Sequence, residues 1–258
     1  MRIARLLVYL TLLAACTPAS GPDPAALPSG TRPPGSELFL PDGAAPKAGV
    51  VLLHGCAGIG NRDREWARRL AGWGYAALIV DSFGPRGYRE VCNRGRLVPP
   101  ETRARDAFAA AAYLRAAPAI RARQVAVIGF SHGGWTVLKT VLAGNLRRLE
   151  DPAFDAAVAY YPACNPPHTP LETDTLILIG ESDDWTPAEN CKRWRELLPP
   201  GPHGLTMRTY PGALHAFDSQ LMPHMFAGHY IGQDPAARAD SIEETRKFLA
   251  ARLTRTQP

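Results

Sequence analysis

One serine constrains this chain more than any other feature. It lies in Gln124–Thr136, read QVAVIGFSHGGWT, with glycine two residues away on each side. Gln124–Phe130 alternates and then runs apolar, and Val125, Val127 and Ile128 are β-branched, which is the signature of a short buried strand. After Ser131 the spacing predicts a helix from Trp135 to Ala143, closed by Gly144-Asn145. Ser131 therefore sits on a strand-to-helix turn. Gly129 and Gly133 lack a Cβ, so strand and helix can pass closely and the turn can take unusual backbone angles. That leaves the hydroxyl exposed at the carboxyl end of the strand, above a helix N-terminus whose free N–H groups suit a developing oxyanion. A chain of this composition produces Gly-x-Ser-x-Gly by chance roughly 0.06 times. The strand before it and the helix after it weigh further against a mere glycine-rich joint.

The rest of the chain repeats the same alternation. Ala48–His54, Tyr75–Asp81, Ala156–Tyr161, Thr175–Gly180 and Leu205–Tyr210 read as strands. Arg62–Gly72, Glu101–Arg115, Pro187–Leu198 and Ala236–Leu253 read as helices, and Ser82–Pro100 as a long loop. Val-, Ile- and Leu-rich strands between helices predict an α/β fold, a mostly parallel sheet covered on both faces. Ligands of such sheets bind at the carboxyl ends of the strands.

A serine hydroxyl needs a base within hydrogen-bond reach, and the base needs an acid to orient it. On this scaffold the acid and then the base follow the serine in chain order. Past Thr175–Gly180 come Glu181-Ser182-Asp183-Asp184. Asp183 is the favoured acid, Asp184 its rival and Glu181 a weaker third. The losing aspartate is expected to cap the following turn or helix. His215 follows Leu205–Tyr210 on a loop, where the base belongs. His168, His203, His224 and His229 have no comparable setting, and no pair has metal-ligand spacing on a clear helix, so neither metal nor cofactor is expected. The oxyanion donors expected are the backbone N–H of His132, next to the nucleophile, and that of Cys56, in the loop after Ala48–His54. Ser219–Gln233 is expected to form part of the pocket wall.

The blocks LLHGCAG (52–58), DSFGPRG (81–87), GFSHGG (129–134), IGESDDWTP (179–187) and YPGALHAFD (210–218) resemble the dienelactone hydrolase family of the α/β-hydrolase fold. The resemblance runs over about residues 36–255. It implies a sheet of about eight strands and catalytic roles at Ser131, Asp183 and His215. It also departs from the family at one point. The founding dienelactone hydrolases carry cysteine at the nucleophile position, whereas this chain has serine, which suits general carboxylester hydrolysis. Arg86 lies in a loop where the family binds a substrate carboxylate, and a structural salt bridge is the equal alternative. Asp81, at its strand end, reads as structural.

Met1–Ala15 reads as a signal peptide: Arg2 and Arg5 form a basic start and Leu6–Leu13 a short apolar run. Leu13-Ala14-Ala15-Cys16 resembles a bacterial lipobox, which would make Cys16 a lipidated first residue, with an ordinary secretory signal as the alternative. Thr17 at the next position points to the outer membrane by resemblance to sorting rules. Residues 16–35, rich in Pro, Ala, Ser and Gly, read as a tether, and 36–258 as the hydrolase domain. The expected location is the periplasm, with the lipid anchor as the only membrane contact. Four further cysteines in an exported chain suggest two disulfides. Cys56 and Cys92 follow strands expected to be neighbours, as do Cys164 and Cys191, so Cys56–Cys92 and Cys164–Cys191 are the expected pairs. A net charge of +5, or +3 without Arg2 and Arg5, is too modest to argue for nucleic acid. The expected function is a serine hydrolase acting on small esters or lactones. An amidase or peptidase on the same scaffold and a non-catalytic lipid-anchored binding protein are the alternatives, and the sequence is silent on oligomeric state.

Overall fold

The computed structural model describes residues 30–253 apart from 44, 47, 143, 145–151 and 166. The expected signal segment, Cys16, most of the tether and the predicted helix end at Ala143 and Asn145 lie outside the described residues. Five α-helices and nine strands occur among those described.

The centre of the fold is a run of apolar strands. β2 (Gly49–Leu53), β3 (Ala76–Val80), β4 (Val125–Phe130), β5 (Ala156–Tyr160) and β6 (Thr175–Gly180) are buried at every position. Helices cover both faces of such strands, so their residues need no polar alternation. Each buried Val, Leu or Ile contributes about 1.5–3 kcal/mol relative to exposure, which drives the collapse. β7 (Leu205–Tyr210) alternates between half-buried and exposed residues and forms one edge. β1 (Glu37–Phe39) forms the other, paired antiparallel to β3. The order is β1-β3-β2-β4-β5-β6-β7, parallel except for β1.

The main sheet thus has seven strands among the described residues, not the eight the resemblance implies. Only one described strand precedes β2, so the antiparallel edge is one strand wide. The missed elements are short. β1 has three residues, and β8 (His224–Phe226) pairs with β9 (His229–Ile231) in a separate two-stranded hairpin.

α1 (Asn61–Gly72), α2 (Pro100–Ala116), α3 (His132–Thr140), α4 (Ala188–Leu197) and α5 (Pro235–Leu253) complete the chain. α2 brings Ala104, Ala107, Ala110 and Ala111 against the sheet, and these small side chains allow a close approach. α3 begins at His132, three residues earlier than the sequence suggests. Gly133 and Gly134 belong to its first turn, where a Cβ on Gly133 would meet the Leu53 carbonyl at 2.0 Å. After β2 the chain moves outward to β3 and then returns to β4 on the opposite side of β2. β2 and β4 therefore flank the switch point, where a crevice opens at the strand ends. Cys56 follows the first of them and Ser131 the second.

Both expected disulfides are present, Cys56–Cys92 and Cys164–Cys191. The first ties the loop after β2 to the loop after β3, and the second ties the loop after β5 to α4. No described helix is long and apolar enough to cross a membrane.

Candidate active site

Ser131 adopts φ 53°, ψ −114°, a conformation costly for a residue with a side chain. Its neighbours hold it there. The Ser131 N–H donates to the Tyr160 carbonyl at 3.0 Å, and the Trp135 N–H donates to the Ser131 carbonyl at 2.8 Å. A Cβ on Gly129 would lie 2.2 Å from the Gly133 carbonyl oxygen, so this crossing of strand and helix admits only glycine.

Three strand ends meet at this hydroxyl. His215, after β7, places Nε2 2.9 Å from Ser131 Oγ. Its Nδ1 lies 2.7 Å from Oδ2 of Asp183, after β6. With the Nδ1 proton donated to the carboxylate, Nε2 is left as acceptor for the serine proton. The His215 side chain is 3% exposed and that of Asp183 is 0%. Asp183 is itself fixed: Oδ1 accepts from the N–H groups of Trp185 (2.9 Å) and Thr186 (2.8 Å), and Oδ2 accepts from the Thr186 hydroxyl (2.9 Å). The His215 ring lies between Tyr161, with centroids 4.7 Å apart, and Trp185, at 5.0 Å. Gly232 N–H donates to the His215 carbonyl, so the chain that continues from β9 holds the histidine loop from outside.

Asp184 does not join this group, and it does not cap α4 as expected. Its Oδ2 accepts from Tyr230 N–H at 3.3 Å and its Oδ1 lies 3.5 Å from His229 Nδ1, so it anchors the β8–β9 hairpin. Asp183, not Asp184, accepts from the N–H groups of the turn that precedes α4. Glu181 is exposed and has no contact with His215 among the described bonds. Arg86 donates to both carboxylate oxygens of the buried Asp106, each at 2.8 Å, and to the Ser82 carbonyl. Its guanidinium is committed to that pair, and Arg86 is absent from the cavity wall at Ser131. Asp81 accepts from the N–H groups of Phe83 and Gly84, a structural turn as expected.

A cavity of about 290 Å³ opens beside Ser131, lined by Cys56, Val91, Gly95, His132 and Trp185 among others. The loop carrying Cys56 and the N-terminus of α3 at His132 thus face one space, as two oxyanion donors require. Ser219–Gln233 supplies no residue to this wall, contrary to expectation. Its hairpin packs against the wall residue Trp185 instead, with His229 stacked on that ring at 4.7 Å and Phe226 6.1 Å from it.

Sequence reasoning missed the support beneath the site. Tyr161 donates its hydroxyl to Asp218 Oδ1 at 2.5 Å, Trp66 Nε1 donates to Asp218 Oδ2 at 3.0 Å, and Arg62 donates to the Tyr161 oxygen. Burial pushes the Tyr161 phenol well above its ordinary value, so it remains a donor. His132 donates from Nε2 to the Gly95 carbonyl at 2.8 Å and accepts at Nδ1 from Arg103 at 2.8 Å. Burial, with the Arg103 guanidinium adding to it, lowers its pKa from 6.5 to about 4. The unfolded chain would take up a proton near pH 6.5 that folded His132 refuses until about pH 4. Acid therefore favours unfolding: the contribution is intact above pH 6.5 and is lost as pH falls from there to about 4. The loss is on the order of 3 kcal/mol. Urea titrations at pH 7 and pH 4 should show the wild type losing more stability than His132→Gln. Equal losses would contradict a neutral buried imidazole.

The sequence profile of the dienelactone hydrolase family matches residues 36–253. The chain belongs to the dienelactone hydrolase family. Among curated relatives, a probable 2-oxo-3-(5-oxofuran-2-ylidene)propanoate lactonase of a Bradyrhizobium species is 24% identical over 65% of this chain and 72% of its own. Among solved structures, a dienelactone hydrolase-like promiscuous phosphotriesterase from metagenomic libraries superposes with a TM-score of 0.70. It is 23% identical, with 84% of this chain and 92% of that one covered. A propionate-bound esterase of Thermogutta terrifontis gives a TM-score of 0.58 at 18% identity, covering 84% of this chain and 88% of its own. These structural likenesses carry the α/β-hydrolase fold.

Proposed function

We propose that this chain is a serine hydrolase of small carboxylic esters or lactones. The observation that carries the reading is the 2.9 Å contact from His215 Nε2 to Ser131 Oγ, on a turn strained open towards solvent, with Asp183 behind the imidazole. Ser131 attacks the acyl carbon as His215 takes its proton. The backbone N–H groups of Cys56 and His132 receive the oxyanion. His215 then protonates the leaving alkoxide, and a water deprotonated by the same imidazole attacks the acyl-enzyme and releases the acid. Asp183 stabilises the imidazolium at each stage. Family membership and the lactonase relative support an ester or lactone as substrate over an amide, and the small cavity suits a compact acyl group. Arg86 acts as a structural cation here, since Asp106 occupies both faces of its fork.

Two disulfides suit an oxidising compartment and support our reading of an exported protein, cleaved before a lipidated Cys16 and carried on a tether over residues 16–35. A fluorophosphonate probe tests the hydrolase reading. The wild type should take up one probe per chain, recovered on the peptide holding Ser131, and should turn over short-chain aryl esters. An unlabelled wild type would favour a binding protein. Labelling with amide but no ester turnover would favour the amidase.

A further inference from the structure

The mechanism above leaves Arg103 without a role. Its side chain is among the largest fully buried ones in the described residues, in the first turn of α2. A buried guanidinium is costly unless its surroundings use it. Its hydrogen bonds go to neutral acceptors. One NH group donates to His132 Nδ1 at 2.8 Å, and the other donates to the His54 carbonyl at 2.7 Å. The Phe83 ring lies 4.9 Å away across its face, and Nε has no partner. The nearby carboxylate, Asp106, is held in a fork by Arg86.

The positions of those two acceptors matter. His132 carries one proposed oxyanion donor on its own backbone. His54 is the last residue before Gly55-Cys56, and Cys56 carries the other. One planar, rigid group therefore spans the two chain segments that must be held in register for both N–H groups to converge on one oxygen. The connection closes on the far side as well. His132 Nε2 donates to the Gly95 carbonyl, Gly95 lies three residues past Cys92, and Cys92 is disulfide-bonded to Cys56. The Val91 N–H also donates to the Cys56 carbonyl at 2.8 Å. Arg103, His132, the 91–95 loop and Cys56 form a continuous ring of bonds around the hole.

We propose that Arg103 is a positioning residue for the oxyanion hole, clamping the His54–Cys56 loop to the start of α3 through the His54 carbonyl and the His132 imidazole. This rests on the Ser131 hydrolase reading. The clamp keeps the donors in place before the oxyanion forms, so its worth lies in the transition state and not in substrate binding. Lysine cannot replace it, because one ammonium on a flexible stem does not present two parallel donors in a fixed plane. The His132 side chain matters for the same reason, although its contribution to chemistry is the backbone N–H.

The test uses Arg103→Lys and His132→Ala in the full chain, with Ser131→Ala as reference. Circular dichroism checks folding. Two readouts follow: kcat and KM on a short aryl ester, and affinity for an aryl trifluoromethyl ketone, which adds the serine to give a hemiketal whose oxyanion occupies the hole. A clamp predicts kcat falling about 100- to 1,000-fold with KM changing little, and ketone affinity falling in parallel with kcat/KM. His132→Ala removes a neutral side chain and keeps the test decisive should Arg103→Lys fail to fold. Folded variants with wild-type kcat, or with losses confined to KM, would overturn the clamp alone, as would an unchanged ketone affinity. A wild type that neither turns over the ester nor binds the ketone would overturn the hydrolase reading and the clamp with it.

Discussion

Alanine at Ser131, at His215 or at both should lower kcat on an activated ester by about the same factor, on the order of 10⁶. The geometry makes the two side chains one unit. His215 Nε2 is 2.9 Å from Ser131 Oγ, and the hydroxyl is a poor nucleophile until that nitrogen accepts its proton. Without the imidazole the serine is inert. Without the serine the imidazole has nothing within reach to activate. The second substitution therefore removes what the first has already disabled, and the losses do not multiply. What remains comes from substrate binding and the two proposed oxyanion N–H groups, which neither substitution touches. Asp183→Asn should cost less, about 10⁴ in kcat, since the amide leaves the ring in place but favours the wrong tautomer. Asp184→Asn serves as the control. Its carboxylate meets Tyr230 and His229 on the hairpin, and kcat should stay near wild type. Rates should be normalised to active sites counted by phosphonate labelling. A double variant far slower than either single variant would mean the two residues act separately. A His215→Ala variant with substantial kcat would remove the histidine from the mechanism.

The parts of this arrangement that were legible in the sequence are those fixed by local pattern or chain order. Thr175–Gly180 and Leu205–Tyr210 were readable to the residue, one as an unbroken apolar run and the other by its turn residues. Each ends at a strand terminus, which places Asp183 and His215 as soon as the serine is known. β1 was not readable, because three residues that include Glu37 carry no period and owe their strand to pairing with β3. β8 and β9 hide behind methionine, histidine and glycine in a segment with little alternation. The choice between Asp183 and Asp184 was open in sequence, since adjacent residues point to opposite sides and only the turn decides which side faces His215. The network of Arg62, Tyr161 and Asp218 joins α1, the end of β5 and the loop after β7, and no spacing rule reaches across such separations. Arg103 was less visible still. In an alanine-rich helix it passes for an ordinary surface arginine, and only the fold puts His54 and His132 at its fork.

Gly133→Ala should cost more than about 4 kcal/mol, an exceptional loss that overpacking against rigid backbone can reach. The added carbon would lie 2.0 Å from the Leu53 carbonyl oxygen and 2.7 Å from that of His54. Neither contact is with the far end of a flexible side chain. Both oxygens belong to the end of β2, where Leu53 is in register with Gly129 and the His54 carbonyl accepts from Arg103. Relief requires α3 to lift off β2 or the β2 end to shift, and either motion separates the His132 N–H from the Cys56 N–H. The effect on the fold and the effect on the hole thus share one cause. Gly212→Ala is the comparison, because that residue has φ +75° with open space around it. Backbone strain alone should cost it on the order of 1 kcal/mol. A chain of this size loses about 2–4 °C in Tm per kcal/mol, so the two variants should separate by several degrees in thermal melts. Any Gly133→Ala protein that stays soluble should bind the trifluoromethyl ketone poorly, while Gly212→Ala binds it as the wild type does. A Gly133→Ala variant as stable as Gly212→Ala would mean that helix and strand are not in close contact there, and the strained turn at Ser131 would lose its physical basis.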